Sequence, residues 1–288
     1  MSFWKLIFVF ALVCLPISAN ATVELTQTLK RINDSSEINL GYRKGQTPMS
    51  FEQDYNKPAG YSVELCNRIA AAVKQKLGRS DIKVNYVPVT AESRFDAIQS
   101  GKIDILCGAT TKTLSRSEIV GFTQLTFVTG GALLSRKDAV VENVKGLEGK
   151  RVAVISNTTT IESLNGAVDG LGIDVEIVPV GSANEGMDML ERGQIDAFSA
   201  DQVVLIGLVI SRGGRKLYTL SSELFSFEPF ALAVPRGDAD FQLIADRVLS
   251  QLNRSAEILE IYKKWFSSFG KNPPSALEML YQLNSTPP

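Results

Sequence analysis

The sequence predicts an α/β protein made of two lobes that are joined by two crossings of the chain. Short apolar strands alternate with helical patterns, which is the order found in strand–helix–strand units. A segment near residues 81–104 recurs near residues 174–196 with the same order of features. The chain of 288 residues is also longer than a single compact core usually requires.

The repeated segment is the basis for predicting two lobes. In each copy a strand is followed by a Val-Pro-Val step, a helix and a Gly-Lys/Gln-Ile-Asp turn, which ends at Asp104 in the first copy and at Asp196 in the second. The matched order indicates duplication or a shared architecture. A chance likeness between two strand–helix–strand segments is the alternative.

The elements of the first unit follow one another closely. We predict strands and helices in alternation at Ile38–Tyr42 (strand), Ser62–Leu77 (helix), Ile82–Val89 (strand), Ser93–Ser100 (helix) and Ile103–Cys107 (strand). The first helix has apolar residues at spacings of three and four, so one stripe can pack on the sheet. The stripe consists of Val63, Cys66, Ile69, Ala70 and Val73.

Two apolar stretches, 128–134 and 226–234, follow the two units and predict where the chain passes between lobes. Residues 240–269 carry two amphipathic helical patterns, which belong to the first lobe if the chain crosses back. The predicted division is 22–127 and 230–270 for lobe 1, 128–131 and 225–229 for the hinge crossings, 132–224 for lobe 2, and 271–288 for a C-terminal tail. The tail is rich in proline and is expected to be a surface appendage.

The N-terminus has the pattern of a secretory signal peptide. Lys5 precedes an apolar run from Leu6 to Leu15, and the small residues Ala19 and Ala21 stand where a signal peptidase cleaves. The run is far shorter than the roughly 20 residues that a membrane-spanning helix needs. We therefore predict a signal peptide at 1–21 and export of the rest of the chain.

The three cysteines have different expected roles. Cys14 lies in the apolar run, and the branched Val13 before it disfavours a lipid-modified N-terminus. Cys66 and Cys107 belong to the exported part, where thiols tend to be oxidised. The sequence leaves two possibilities for this pair, a disulfide bridge or two buried thiols, because a bridge requires Cα atoms about 4.4 to 6.8 Å apart.

The composition excludes several classes of function. The chain has 30 basic and 31 acidic residues, so no excess of positive charge indicates nucleic-acid binding. It contains no histidine, which excludes histidine-based catalytic triads, HExxH zinc sites and most general-base schemes. No Walker, C-x-x-C, G-x-S-x-G or G-x-G-x-x-G pattern occurs. We predict no catalytic residue, no metal site and no cofactor; an enzyme that uses carboxylates is the alternative.

Polar residues directly after the predicted strands form the candidate ligand site. In open α/β sheets ligands bind at the carboxyl ends of the strands. The candidates are Arg43, Arg94, Thr110, Thr111, Arg116, Thr158, Thr159 and Asp201. Each arginine alone has a simpler explanation as a solvated surface charge, and the threonines as helix caps. Their joint placement after strands favours a binding site.

These residue types match an anionic ligand that also carries a positive charge. A guanidinium group pairs with a carboxylate through two parallel hydrogen bonds and stays charged at working pH. Thr158 and Thr159, at the expected start of a helix, offer backbone N–H donors to an anion. Asp201 is suited to an ammonium group. An amino acid with a second carboxylate fits this set.

At these residues the chain resembles the periplasmic amino-acid-binding proteins of ABC importers, the bacterial extracellular solute-binding protein family 3, and among them the glutamate/aspartate-binding proteins. The resemblance covers nearly the whole exported chain. It rests on Gly60–Leu65, Cys107–Thr111 with Arg116, Gly149–Val154 leading into Thr158 and Thr159, and Trp265-Phe266. The family implies a type II periplasmic-binding-protein-like fold with two Rossmann-like lobes.

The resemblance also implies roles for the candidate residues. Thr111 and Arg116 match positions that hold the ligand α-carboxylate, helped by those matching Thr158 and Thr159. Asp201 matches the position that holds the α-ammonium group. Arg43 and Arg94 match positions that hold the side-chain carboxylate in binders of acidic amino acids. The chain departs from those binders at Ala109, where they have serine, and at Ala183, where they have histidine.

The resemblance implies that the protein is a periplasmic monomer without a cofactor. It is expected to capture glutamate or aspartate by lobe closure and to deliver it to a permease and ATPase complex in the inner membrane, without inserting into the membrane after signal cleavage. Two other uses of the same scaffold are the alternatives, a periplasmic dehydratase-like enzyme and a sensory ligand-binding domain.

Overall fold

The computed structural model describes residue 25 and residues 27–53, 56–270 and 272–288, so the predicted signal peptide lies outside the described residues. Two five-stranded sheets with flanking helices form two lobes, which confirms the predicted fold class. Within the described ranges, no helix combines the length and the apolar character needed to cross a membrane.

The first lobe contains the elements up to the first crossing and those after the second. They are α1 Gln27–Ser35, β1 Glu37–Tyr42, β2 Gly45–Gln46, β3 Ser50–Gln53, β4 Lys57–Ala59, α2 Tyr61–Leu77, β5 Lys83–Pro88, α3 Arg94–Gln99, β6 Ile105–Cys107, α4 Leu114–Ser117 and β7 Gly121–Thr129. The second lobe follows with β8 Gly131–Arg136, a 3-10 turn Val144–Leu147, β9 Arg151–Ile155, α5 Thr159–Leu171, β10 Glu176–Val180, α6 Ala183–Glu191, β11 Ala197–Asp201, α7 Gln202–Ser211 and β12 Tyr218–Leu220. The chain returns with β13 Glu228–Val234, α8 Ala239–Arg254, α9 Glu257–Phe266 and α10 Ser275–Leu283.

The two large sheets have the same arrangement. The first has the order β5-β1-β6-β13-β7 and the second β10-β9-β11-β8-β12. In each sheet the first three strands are parallel, and the fourth runs antiparallel to its neighbours. The chain leaves the first sheet at the end of β7 and returns with β13, and these two strands pair at Thr129 and Glu228. The two crossings therefore lie side by side.

The aspartate that ends each repeated segment has the same structural task in both lobes. The Asp104 carboxylate accepts a hydrogen bond from the backbone N–H of Asn39 at 2.7 Å, and the Asp196 carboxylate accepts one from that of Arg151 at 2.9 Å. The backbone N–H of each aspartate in turn donates to the carbonyl of the same partner at 2.8 Å. Each aspartate thereby fixes the start of one parallel strand against the next, which explains why the motif recurs.

A disulfide bond joins Cys66 on α2 to Cys107 at the end of β6. The Cα atoms are 6.1 Å apart, inside the range that a bridge requires. Both residues are fully buried, and Cys66 belongs to the predicted apolar stripe of α2, all of whose members are buried. The bridge ties this helix to the loop that begins at Gly108.

Removal of the disulfide should lower the stability of the fold. The bond closes a loop with a sequence separation of 41 residues, and constraint of such a loop in the unfolded chain is worth about 2–4 kcal/mol. We expect Cys66→Ala combined with Cys107→Ala to reduce the free energy of unfolding in urea by about that amount. Reduction of the unaltered protein is the matched control and should give a similar loss; an unchanged unfolding midpoint in both would contradict the prediction.

The C-terminal tail differs from the predicted surface appendage. Helix α10 buries Leu277 and Tyr281 against the first lobe, and the hydroxyl groups of Tyr281 and Tyr61 are 3.1 Å apart. The prolines that suggested an irregular tail stand before and after this helix, with Pro274 directly at its start, where proline is tolerated. The segment is thus part of the first lobe's packing.

Candidate functional site

A cavity between the two lobes is lined by most of the predicted ligand-binding residues. Its walls include Arg43, Arg94, Thr111, Arg116, Thr158, Thr159 and Asp201. Of the predicted set, Thr110 alone does not line it. The chain is extended at this point, with an isolated bridge from Thr111 to Phe230, so neighbouring side chains point to opposite sides and only Thr111 faces the cavity.

Each lobe supplies its residues from the carboxyl ends of parallel strands. Arg43 directly follows β1, and Asp201 is the last residue of β11. In the second lobe, the first turn of α5 lines the cavity, with Thr158 as the residue before the helix. Backbone N–H groups at a helix start have no partner within the helix, so they can donate to a ligand.

Three guanidinium groups face this cavity, and no carboxylate forms an ion pair with any of them in the described part of the chain. Arg43 is 8% exposed and Arg94 3% exposed. Burial lowers the pKa of Arg43 to about 10. Burial, with repulsion from Arg116 and Arg43, lowers the pKa of Arg94 to about 9. The pKa of Arg116 is also lowered by burial. Since all three stay protonated at neutral pH, the cavity is suited to a strongly anionic ligand.

Protein contacts hold two of these arginines in place. One nitrogen of Arg116 donates to the carbonyl of Thr111 at 2.9 Å. Arg94 donates to the carbonyl of Ala91 in its own lobe and, at 2.9 Å, to that of Asn157 in the other lobe. The guanidinium groups of Arg94 and Arg116 also lie 4.4 and 5.4 Å from the ring centre of Phe95. No other hydrogen bond to these two guanidinium groups occurs among the described residues, so their remaining N–H groups can bind a ligand.

Asp201 is an acidic residue of the site whose carboxyl group lacks a hydrogen-bond partner for one oxygen within the described residues. Its Oδ1 atom is buried and makes no hydrogen bond within the described residues. Burial, reinforced by the nearby charge of Glu228, raises the pKa of Asp201 to about 8, although Arg116, Arg43 and Arg94 act in the opposite direction. A buried carboxylate oxygen without a donor is costly, so a cationic ligand group placed there would be stabilised.

Glu228, a buried carboxylate at the start of β13, was missed by the sequence analysis. Its side chain is 1% exposed and accepts hydrogen bonds from the hydroxyl groups of Thr111, Thr159 and Ser226. The residue lies within the predicted crossing at 225–229, and it begins an antiparallel strand. The rule that ligands sit at the carboxyl ends of parallel strands therefore did not find it; an acidic residue inside an otherwise apolar crossing was the available signal.

The fold and the cavity together define a two-lobed binding protein whose ligand lies between the lobes. The family model for bacterial extracellular solute-binding proteins, family 3, matches residues 38–268. The chain therefore belongs to this family, which confirms the family predicted from the sequence.

Similar proteins agree with this assignment. The chain is 32% identical to an L-glutamate/L-aspartate-binding protein of Pseudomonas aeruginosa, over 96% of this chain and 90% of the relative. It is 29% identical to a glutamate/aspartate import solute-binding protein of Escherichia coli, over 89% of this chain and 84% of the relative.

Solved structures show the same fold. An ancestral arginine-binding protein bound to arginine superposes with a TM-score of 0.71 at 24% identity, over 80% of this chain and 98% of that protein. A substrate-binding protein of an ABC uptake transporter from Streptococcus pneumoniae, with bound histidine, has a TM-score of 0.73 at 21% identity, over 83% of this chain and 95% of that protein.

Proposed function

We propose that the protein captures an acidic amino acid, glutamate or aspartate, between its lobes and delivers it to an ABC importer. The observation that carries this proposal is a set of three arginines, two buried and one half-buried, which have no carboxylate partner among the described residues and line the same cavity as the unpartnered oxygen of Asp201. In the proposed complex, where a ligand ammonium group favours the ionised form of Asp201, three cations face two carboxylates, Asp201 and Glu228. A ligand with two carboxylates and one ammonium group has a net charge of −1 and brings the site to neutrality.

Each part of such a ligand has a partner in the proposed site. Arg116 binds the α-carboxylate, together with backbone N–H groups at Thr111, Thr158 and Thr159. Asp201 binds the α-ammonium group. Arg43 and Arg94 bind the side-chain carboxylate. Support for these roles comes from the placement of all seven residues around one cavity and from the relatives, which are named for binding glutamate and aspartate.

Lobe closure is the proposed signal to the transporter. In the sequence-based division, Arg94 and Thr111 belong to lobe 1 and Asn157 and Thr159 to lobe 2, and both pairs are in contact across the cleft. A ligand that shifts the balance of open and closed forms from 1:99 to 99:1 must favour the closed form by about 5.5 kcal/mol. Desolvated Arg–carboxylate contacts supply interactions of that scale.

We further propose that the protein works in the periplasm as a monomer, after removal of residues 1–21, and that it is not an enzyme. The relatives are named as binding proteins of importers, which supports delivery to a membrane complex. The family description, extracellular, supports export.

Thermal unfolding against the twenty amino acids tests the function. Protein freed of endogenous ligand should be stabilised most by glutamate or aspartate, because saturation at a thousandfold over Kd adds about 4.1 kcal/mol. Stabilisation by a basic amino acid alone, or by none of the twenty, would contradict the proposal.

The two arginines assigned to the side-chain carboxylate should control selectivity. We expect Arg43→Ala or Arg94→Ala to weaken glutamate by about 2 kcal/mol or more, roughly thirtyfold, because loss of one partner of a buried charge pair costs about 2–5 kcal/mol. Glutamine, whose side chain is uncharged, should lose much less. Calorimetric titration measures both ligands, and Arg68→Ala on the exposed face of α2 is the control. Equal losses for glutamate and glutamine would contradict the assignment.

A further inference from the structure

Glu228 connects both lobes through hydroxyl groups. Its Oε2 atom accepts from Thr111 of the first lobe at 2.5 Å and from Thr159 of the second at 2.7 Å. Its Oε1 atom accepts from Ser226, on the crossing itself, at 2.7 Å. With 1% exposure, the carboxylate has almost no contact with solvent, so these hydroxyl groups are its principal partners.

The hydroxyl groups of Thr111 and Thr159 therefore donate their protons in hydrogen bonds to Glu228. A hydroxyl group has one proton and two lone pairs, whereas an ionised carboxylate can only accept. The Oγ1 atoms of Thr111 and Thr159 also lie 3.2 Å apart, but the shorter contact of Thr159 with Glu228 takes its single proton. Neither hydroxyl group has a second proton to offer to a ligand.

Both threonines also line the cavity. Because their protons are donated to Glu228, their hydroxyl oxygens can only accept hydrogen bonds from a ligand. Lone pairs accept from an ammonium group and repel a carboxylate. A ligand carboxylate must then rely on Arg116 and backbone N–H groups, while an amine gains acceptors in addition to Asp201.

We propose that Glu228 is a positioning residue that selects ligands with a protonated amine: it draws the hydroxyl protons of Thr111 and Thr159 away from the cavity, and in the closed form it bridges the lobes. This inference rests on the proposed function, because it assumes an amino acid in the cavity. Glu228 need not touch the ligand itself. It determines whether the hydroxyl groups of Thr111 and Thr159 donate to the ligand or accept from it.

The test compares L-glutamate with glutarate, which has the same two carboxylates and no ammonium group. Calorimetric titrations use the ligand-free protein, Glu228→Gln and Thr159→Val. In Glu228→Gln the side-chain amide donates, so at least one hydroxyl proton must turn elsewhere. We expect the affinity ratio of glutamate to glutarate to fall about tenfold or more, because a buried donor or acceptor left without its partner costs about 1–3 kcal/mol.

Thr159→Val separates hydroxyl orientation from charge, since it removes one acceptor and leaves the net charge unchanged. We expect it to lower the same ratio, by about tenfold on the same grounds. Ser226→Ala is the control: it removes the contact to Oε1 and the acceptor of the Gly131 backbone N–H but leaves both threonine hydroxyl groups in place, so it should leave the ratio within about threefold of that of the unaltered protein. Thr159→Val also serves as the test if Glu228→Gln does not fold.

The outcomes are distinguishable. If the unaltered protein binds no acidic amino acid, the proposed function is wrong and this inference is wrong with it. If it binds glutamate but Glu228→Gln weakens both ligands equally, Glu228 has a structural role only. If Glu228→Gln changes the ratio and Thr159→Val does not, its charge acts alone and the orientation of the hydroxyl groups is not the cause.

Discussion

Arg116→Ala should abolish measurable binding of every amino acid. The guanidinium group of Arg116 is anchored to the carbonyl of Thr111 and stacked near Phe95, and we assign it to the α-carboxylate, which all amino acids share. Loss of one partner of a buried charge pair costs about 2–5 kcal/mol, and here it also removes the fixed point from which the rest of the ligand is oriented. Calorimetric titration with glutamate and glutamine should show that both are lost.

The control for this change is Arg247→Ala on an exposed part of α8, which should bind both ligands as the unaltered protein does. Glutamate binding by Arg116→Ala within about threefold of the unaltered protein would contradict the assignment. Loss of glutamate with retention of glutamine would instead place the side-chain carboxylate at Arg116.

Asp201→Asn should have the second large effect, with opposite consequences for binding and stability. Burial raises the pKa of Asp201 to about 8, so in the ligand-free closed form its ionisation is unfavourable. An amide removes that cost and also removes the negative partner of the ammonium group. We expect amino-acid affinity to fall by about 2–5 kcal/mol, while the ligand-free protein becomes more stable.

The gain in stability of Asp201→Asn over the unaltered protein should increase as pH rises. A carboxyl group whose pKa is higher in the folded protein than in the unfolded chain destabilises the fold progressively as pH rises from its ordinary value near 3.8 to the folded value of about 8. The difference in unfolding temperature between Asp201→Asn and the unaltered protein should therefore grow over this window and level off above it. A difference that shrinks with rising pH would show that Asp201 is stabilised as an anion without ligand.

The sequence predicted the fold, and seven of its eight candidate ligand-binding residues line one cavity, because both follow from strong local patterns. Arg43 and Asp201 were selected because they stand at the carboxyl ends of parallel strands, Arg43 directly after β1 and Asp201 as the last residue of β11, and the repeated Asp104 and Asp196 indicated the two sheets. Thr110 was assigned to the ligand because spacing alone does not show which of two neighbouring side chains faces the cavity.

Other features lacked such a signal. Strands β2, β3 and β4 have only two to four residues each, too few for a periodic pattern. Helix α10 was hidden by its flanking prolines, although its buried Leu277 and Tyr281 give it an apolar face. The role of Glu228 depends on its contacts with Thr111 and Thr159. These two residues are distant from it in sequence and come together only in the folded, two-lobed structure.

A crystal structure of the protein with glutamate tests the central proposal most directly. We expect one glutamate between the lobes, its α-carboxylate on Arg116, its side-chain carboxylate on Arg43 and Arg94, and its ammonium group within hydrogen-bond distance of the Asp201 carboxylate. Glutamate bound outside this cavity, or the three arginines turned toward bulk solvent with the ligand held by other groups, would contradict it.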